Sequence, residues 1–233
     1  MYAGKFCSAV IVAAGNGKRM GTIIPKQFLL LGSKTIIEHT IDAFLNCNAI
    51  DEIILVVSQS SVDECNRMFS GVSVKCVVGG AERYDSVYKG ICSTSENCSI
   101  ILIHDGVRPF VNNEMIISSI ETAIEFGACA AGVKSKDTVK ICSEEGFVIS
   151  TLLRDNVYSI QTPQTFQKDI IVKSYEEAFK KEVFGTDDAA LAENAGFMVK
   201  IINGSYENIK ITTPDDLIVG EKIFANNLGG GGY

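Results

Sequence analysis

A chain of 233 residues, 46% hydrophobic and 21% charged, has the composition of one large globular domain rather than a disordered or fibrous chain. Its formal net charge of −7 argues against nucleic acid as a partner, which asks for a basic footprint, but allows a small phosphorylated ligand held by a few converging cations. No stretch approaches the roughly 18 uninterrupted apolar residues of a membrane span, and residues 1–14 lack a secretory pattern, so no membrane association and a cytoplasmic location are expected.

In chain order, Ala9–Ala14, Ile53–Val57, Val74–Val78 and Ile100–Ile103 are near-continuous apolar runs, the pattern of strands buried on both faces of a parallel sheet. Between the first two, Thr35–Leu45 carries Ile36, Ile37, Ile41, Phe44 and Leu45 on one helical stripe, with Thr35 and Glu38 spaced as a capping box. Asn112 or Asn113 caps a second helix, Gly127 closes it, and Ala128–Val133 follows as a small-residue strand. This alternation predicts an α/β sandwich with helices on both faces of a mostly parallel sheet. Residues 134–158 break the rhythm. Two β-prone arms around a Glu-Gly turn predict a polar hairpin that projects from the sheet. Helices are then expected at Asp169–Lys181 and Asp187–Ala195, with short strands at Met198–Ile202 and Asn208–Ile211. A last helix is capped by Thr213, with Pro214 at its first position. The expected organisation is a single domain over 1–225, with 226–233 as a disordered tail. Eight Cys show no C-x-x-C spacing and no pairing with the two His, which fits small buried hydrophobes in a reducing compartment.

The segment Ala13-Ala14-Gly15-Asn16-Gly17-Lys18-Arg19-Met20-Gly21, followed by Pro25-Lys26-Gln27, begins where the first strand ends. That edge is where open α/β sheets bind ligands, and its glycines let backbone N–H groups approach a phosphate closely. The spacing is neither G-x-x-x-x-G-K-[ST] nor G-x-G-x-x-G, which excludes a P-loop and argues against a nicotinamide site. The density of Lys18, Arg19 and Lys26 beside the glycines favours a polyphosphate. Gly79-Gly80-Ala81-Glu82-Arg83 follows another strand and on its own reads as a strand-to-helix turn. His104-Asp105-Gly106-Val107-Arg108 follows a third; Asp105 suits a hydroxyl, a cation or Mg²⁺, or pairs with Arg108, and His104 reads as a packed side chain. Lys210 lies between apolar neighbours and must find an anion or reach solvent.

These segments occur in order together with Gln161-Thr-Pro-Gln-Thr-Phe166, Thr186-Asp-Asp-Ala189 and Asn208-Ile-Lys-Ile-Thr-Thr-Pro-Asp-Asp216, and the set resembles the 2-C-methyl-D-erythritol 4-phosphate cytidylyltransferases over about residues 6–224. The resemblance implies a Rossmann-like nucleotidyltransferase sandwich with a protruding β-arm, transfer of CMP from CTP, Mg²⁺, and a homodimer interlocked through the arm at 134–158. It implies CTP-pocket roles for Ala13, Ala14, Gly15, Gly17, Gly80, Ala81, Ser86 and Gly106, and catalytic cations at Arg19, Lys26 and Lys210. Asp105, Thr138, Arg154 and Thr162 correspond to acceptor contacts, with Thr138 and Arg154 donated by a partner's arm. Gly106-Val107 stands where the family usually has two alanines, and ribitol 5-phosphate cytidylyltransferases often have Gly or Ser followed by Val there. Ribitol 5-phosphate is therefore the alternative acceptor, although Thr186-Asp-Asp-Ala189 and Gln161-Thr-Pro-Gln164 lean toward methylerythritol phosphate. The set Arg19, Lys26, Asp105 and Lys210 argues against a third reading, a catalytically idle nucleotide-binding homologue.

Overall fold

Strand β1 (Phe6–Val12) sends Cys7, Ala9 and Ile11 into one apolar layer and Val10 into another, which is why nearly every position in the run is apolar. The structure, a computed structural model, describes residues 1–15, 20 and 24–229. A small antiparallel pair, β2 (Leu30–Leu31) and β3 (Lys34–Thr35), leads into α1 (Ile36–Leu45). The expected capping box forms there: the Thr35 side chain accepts from the Glu38 N–H, and the Glu38 carboxylate accepts from the Thr35 N–H at 2.7 Å. Then follow β4 (Glu52–Val57), α2 (Val62–Met68), β5 (Val74–Val78), α3 (Arg83–Cys92) and β6 (Cys98–Asp105). Helix α4 (Asn113–Phe126) is capped by Asn112, whose Oδ1 accepts the Met115 N–H at 2.9 Å, and it stops at Gly127, where φ is 91°. Strand β7 (Ala128–Lys134) precedes the hairpin of β8 (Lys140–Cys142) and β9 (Val148–Thr151), both of whose strands are exposed at every residue. The chain ends with β10 (Tyr158–Gln167), α5 (Lys168–Lys181), α6 (Asp188–Asn194), β11 (Lys200–Asn203) and α7 (Pro214–Gly229).

Seven strands form one sheet in the order β11-β7-β10-β6-β1-β4-β5. Only β10 runs antiparallel to its neighbours, so the predicted mostly parallel α/β sandwich is what the chain builds. The α1 and α4 stripes pack on one face; α3, α5 and α6 cover the other. Because β1, β4, β5 and β6 are parallel, their carboxyl ends gather at one edge, and the loops after β1, β5 and β6 meet there.

Four expectations need correction. The ten-residue strand β10 was not foreseen: Pro163 and the glutamines around it interrupt the apolar pattern, and the ladder absorbs Pro163 at a register shift between Ile160 and Gln164. The strand expected at Met198–Ile202 is Lys200–Asn203, with Met198 left 89% exposed. Asn208–Ile211 is not a strand: the Asn208 and Ile209 N–H groups turn back locally to the Ser205 and Glu207 carbonyls at 3.0 and 2.7 Å, and the Ile211 N–H donates to the Val107 carbonyl at 2.9 Å. Helix α7 runs on to Gly229, through residues assigned to the disordered tail, because nothing after its capped start breaks it until the glycines. Residues 230–233 lie outside the described part. All eight Cys are free, and five are buried, but Cys92 and Cys142 are exposed, one in the last turn of α3 and the other on the hairpin. Among the described residues, no helix is long and apolar enough to cross a membrane.

Candidate active site

The carboxyl edge of the sheet opens into a cleft of about 640 Å³. Ala14 and Gly15 from the end of β1, Gly80 and Ala81 from the loop after β5, Ser86 from α3, and Lys26, Asp105 and Lys210 all face it. Thus eight of the sequence-predicted residues, drawn from four separate segments, share one cavity. Gly79 lets the first two loops touch: a Cβ there would sit 2.7 Å from both the Ala14 Cβ and the Ser86 Oγ. Ser86 holds the second loop in shape, accepting the Gly80 N–H at 3.0 Å and donating to the Glu82 carbonyl at 3.1 Å. Lys26 begins a short 3-10 turn, Lys26–Phe28, whose buried Gln27 donates from Nε2 to the Ala13 carbonyl at 2.8 Å. That bond fastens the lysine-bearing turn to the end of β1.

Ala13 and Gly106 lie beneath the cleft rather than along it. Ala13 is 5% exposed, and a Cβ on Gly106 would meet the Ile37 Cδ1 at 2.8 Å and the Ala13 Cβ at 2.9 Å. The glycine at 106 therefore lets the ends of β1 and β6 close over α1. Gly17 and Arg19, with Lys18 and Gly21, lie outside the described residues.

Asp105, 7% exposed, is the electrostatic centre. Its carboxylate meets the Lys210 Nζ at 3.0 Å, the Arg108 Nε at 3.3 Å and the Arg83 Nε at 3.8 Å. Burial works against its charge, but Lys210, then Arg83 and Arg108, outweigh burial and hold the carboxyl well below the usual carboxylate range. Lys210 thus finds its anion, and its segment is held by neighbours: the Asn208 Nδ2 donates to the Thr162 carbonyl at 2.9 Å, and Ile211 is wholly buried. The sequence-predicted pairing of Asp105 with Arg108 is present, and it coexists with two further cations.

A second cleft of about 720 Å³ adjoins the first. The two share Arg83, Asp105 and Lys210, and the second adds Arg108, Thr162 and Thr186. Thr162 is fixed by the strand ends: its Oγ1 accepts the Asp105 N–H at 3.1 Å and pairs with the His104 Nδ1 at 3.0 Å. The His104 Nε2 lies 3.1 Å from the Arg108 carbonyl, a group that can only accept, so this nitrogen carries the ring proton and Nδ1 accepts from Thr162. Burial pushes the imidazole down to about 4, so at neutral pH it is uncharged and packed, as its apolar surroundings foretell. Thr138 and Arg154 are exposed on either side of the hairpin, and neither lines these two clefts.

Two residues at the junction escaped sequence reasoning. Arg83 was visible inside the second glycine motif, but nothing local assigned it a task; its Nη2 donates to Asp188 at 2.7 Å, across 105 residues of chain. Asp188 stood in the Thr186-Asp-Asp-Ala189 motif without a role, and it is fully buried.

The family model for 2-C-methyl-D-erythritol 4-phosphate cytidylyltransferase matches residues 7–226. A protein of that name from Alkaliphilus oremlandii is 49% identical over 221 residues, covering 93% of this chain and 94% of that one. Another from Clostridium botulinum is 47% identical, covering 92% and 97%. The crystal structure of 4-diphosphocytidyl-2C-methyl-D-erythritol synthase from Anaerococcus prevotii is 37% identical and superposes with a TM-score of 0.87, covering 95% of this chain and 97% of that one.

Proposed function

The chain belongs to the 2-C-methyl-D-erythritol 4-phosphate cytidylyltransferase family, and from that premise we propose how its two clefts divide the work. The reaction moves CMP from CTP to 2-C-methyl-D-erythritol 4-phosphate, giving the CDP-methylerythritol and pyrophosphate, in isoprenoid biosynthesis. The first cleft takes CTP, with Ala14, Gly15, Gly80 and Ala81 offering a close backbone surface. The second takes the acceptor. The observation that carries this division is the wall common to both, Arg83, Asp105 and Lys210, with Lys26 lining the first cleft as well.

A phosphate monoester is already ionised near neutral pH, so the attacking oxygen needs no general base. The obstacle is that two anions must meet, and the chain answers it with positioning and positive charge. The acceptor phosphate oxygen attacks the α-phosphorus in line as the bond to the leaving pyrophosphate breaks. Lys26 and Lys210, with Arg19 from the first loop, stabilise charge growing on the α-phosphate and the departing pyrophosphate. Thr162 is already donating to His104, so its remaining capacity is to accept from an acceptor hydroxyl. Asp105 holds Lys210 and the two arginines at the junction until the phosphates arrive.

Mg²⁺ fits this site as an ion carried chiefly by the nucleotide. Among the described residues no three His, Cys, Asp or Glu side chains gather, and Asp105 is a single carboxylate already facing three cations. Triphosphate oxygens, with Asp105 as the protein's carboxylate, would hold it. When bound, it neutralises triphosphate charge.

The arm also belongs to this reading. Phe147, Val148, Ile149 and Leu153 are 59–75% exposed, on a two-stranded hairpin that is marginal when left uncovered. A second copy of the chain would cover it and bring Thr138 and Arg154 to the acceptor cleft. A cytoplasmic homodimer follows from the same reading.

The test is pyrophosphate release from CTP by the purified chain, with 2-C-methyl-D-erythritol 4-phosphate and ribitol 5-phosphate supplied separately and in competition. Release with the methylerythritol substrate, at a kcat/KM about 10²-fold or more above that with ribitol 5-phosphate, is expected. Release with ribitol 5-phosphate alone would overturn the acceptor assignment, and silence with both would leave a nucleotide-binding protein without this activity.

A further inference from the structure

Helix α3 starts beside the first cleft, yet the guanidinium of its first residue, Arg83, is tied to the start of α6, next to Thr186 and Asp187 of the second cleft. Asp188, the first residue of α6, makes that tie, and both of its oxygens are committed: Oδ2 accepts from the Arg83 Nη2 at 2.7 Å and Oδ1 from the Tyr175 hydroxyl at 2.6 Å. Tyr175 on α5 is itself fully buried, so the carboxylate cannot turn away. The start of α6 is clamped as well. Gln164 of β10 donates to the Asp187 Oδ2 at 2.9 Å, and its Oε1 accepts the Ala189 N–H at 2.9 Å. On α3, Tyr84 stacks on Phe184 with ring centroids 3.9 Å apart, joining that helix to the loop that carries Thr186. The Arg83 tie is therefore held from α3, α5, α6 and β10.

Arg83 also differs from its neighbour. The Arg108 side chain is 11% exposed, and its Nη1 is spent on the Asn208 carbonyl at 2.8 Å, whereas Arg83 is 34% exposed at the boundary of the two clefts. A guanidinium held by one edge presents its remaining donors as a fixed fork, which matches the geometry of a phosphate.

We propose that Arg83 is a further cation that binds and aims the acceptor's phosphate, beside Lys210 and Arg154, and that Asp188, held by Tyr175, is the positioning residue that sets its angle. The proposal rests on assigning the second cleft to the acceptor. It predicts that damage to the tie falls on the acceptor rather than the nucleotide, since the first cleft alone has Lys26 and the backbone loops. Orientation also matters as much as charge, so Arg83→Lys should not rescue.

The experiment measures initial rates of pyrophosphate release with each substrate varied, alongside thermal melts, for Asp188→Asn, Tyr175→Phe, Arg83→Lys and, as a reporter on the cleft, Thr162→Val. Expected for Asp188→Asn and Arg83→Lys is a rise of about tenfold or more in KM for methylerythritol phosphate with a fall in kcat, while KM for CTP moves by less than about threefold. Tyr175→Phe removes one hydroxyl at nearly constant volume, and should show a smaller shift in the same direction even if Asp188→Asn folds poorly. A lowered melting temperature in Asp188→Asn and Tyr175→Phe with both KM values unchanged would overturn the proposal, leaving the tie a structural one. Equal rises in the two KM values would also overturn it. If Thr162→Val raises the acceptor KM while the Asp188 and Arg83 variants do not, the inference about Arg83 fails and the cleft assignment stands. If Thr162→Val leaves the acceptor KM unchanged, the assignment itself fails and the proposal with it.

Discussion

Lys210→Ala is expected to lower turnover by about 10²–10³-fold while weakening CTP binding by less than about tenfold. The reason is where its charge sits. Lys210 belongs to the wall common to both clefts, 3.0 Å from the Asp105 carboxylate and 37% exposed, so its ammonium can shift from that carboxylate to charge developing between the substrates. In the ground state the triphosphate has other partners. In the transition state the α-phosphate carries two oxygens in line, and no backbone N–H replaces a full positive charge there. Lys26→Ala should behave in the same way, since the bond from Gln27 to the Ala13 carbonyl fixes its turn at the first cleft. Single-turnover rates beside CTP titrations check both variants. Equal losses in rate and affinity would mean that the lysines merely hold the nucleotide.

Asp105→Asn is expected to cost about 3–5 kcal/mol of stability and to abolish activity, because it leaves three cations facing one another around a neutral amide. In a domain of this size that lowers the melting temperature by roughly 10 °C. The pH dependence has a definite sign. The folded carboxyl titrates well below its ordinary value, so its contribution is complete above the unfolded value of about 3.9 and is lost as the pH falls from there toward the depressed native value. The stability gap between the two proteins should therefore be flat from about pH 5 to 8 and shrink below about pH 4. Denaturant melts across that range measure it. A gap that closes between pH 5 and 7 would mean the carboxylate is not held by those cations.

How much of this was legible beforehand depended on whether the cause was local. The four parallel strands announced themselves as nearly continuous apolar runs; β1, β4 and β6 are covered on both faces as expected, whereas β5, at its expected bounds, is the edge strand, half-buried with Lys75 exposed. The helix starts at Thr35, Asn112 and Thr213 were equally plain, since caps are short-range hydrogen bonds between residues three or four apart. Lys210 was legible for a different reason: a lysine between Ile209 and Ile211 must find an anion or reach solvent, and it does both, pairing with Asp105 at the open boundary of the clefts. Strand β10 was hidden because Pro163 and the buried Gln161 and Gln164 do not look like a central strand. Their amides are consumed by Ser205, Asp187 and Ala189, partners far away in sequence. Arg83 was hidden by the same kind of distance, since its meaning lies in Asp188 and Tyr175 rather than in the glycines beside it. The family resemblance rested on ordered motifs across nearly the whole chain, and the family match over residues 7–226 bears it out.

The most direct measurement is calorimetric titration of 2-C-methyl-D-erythritol 4-phosphate into the protein, alone and saturated with an α,β-methylene analogue of CTP that cannot release pyrophosphate. If the two clefts meet at Arg83, Asp105 and Lys210, the acceptor binds the nucleotide-loaded protein at least as tightly as the free protein, with one site per chain. If loading the nucleotide drives the acceptor out in proportion to its concentration, the two anions compete for a single place, and no junction brings them together.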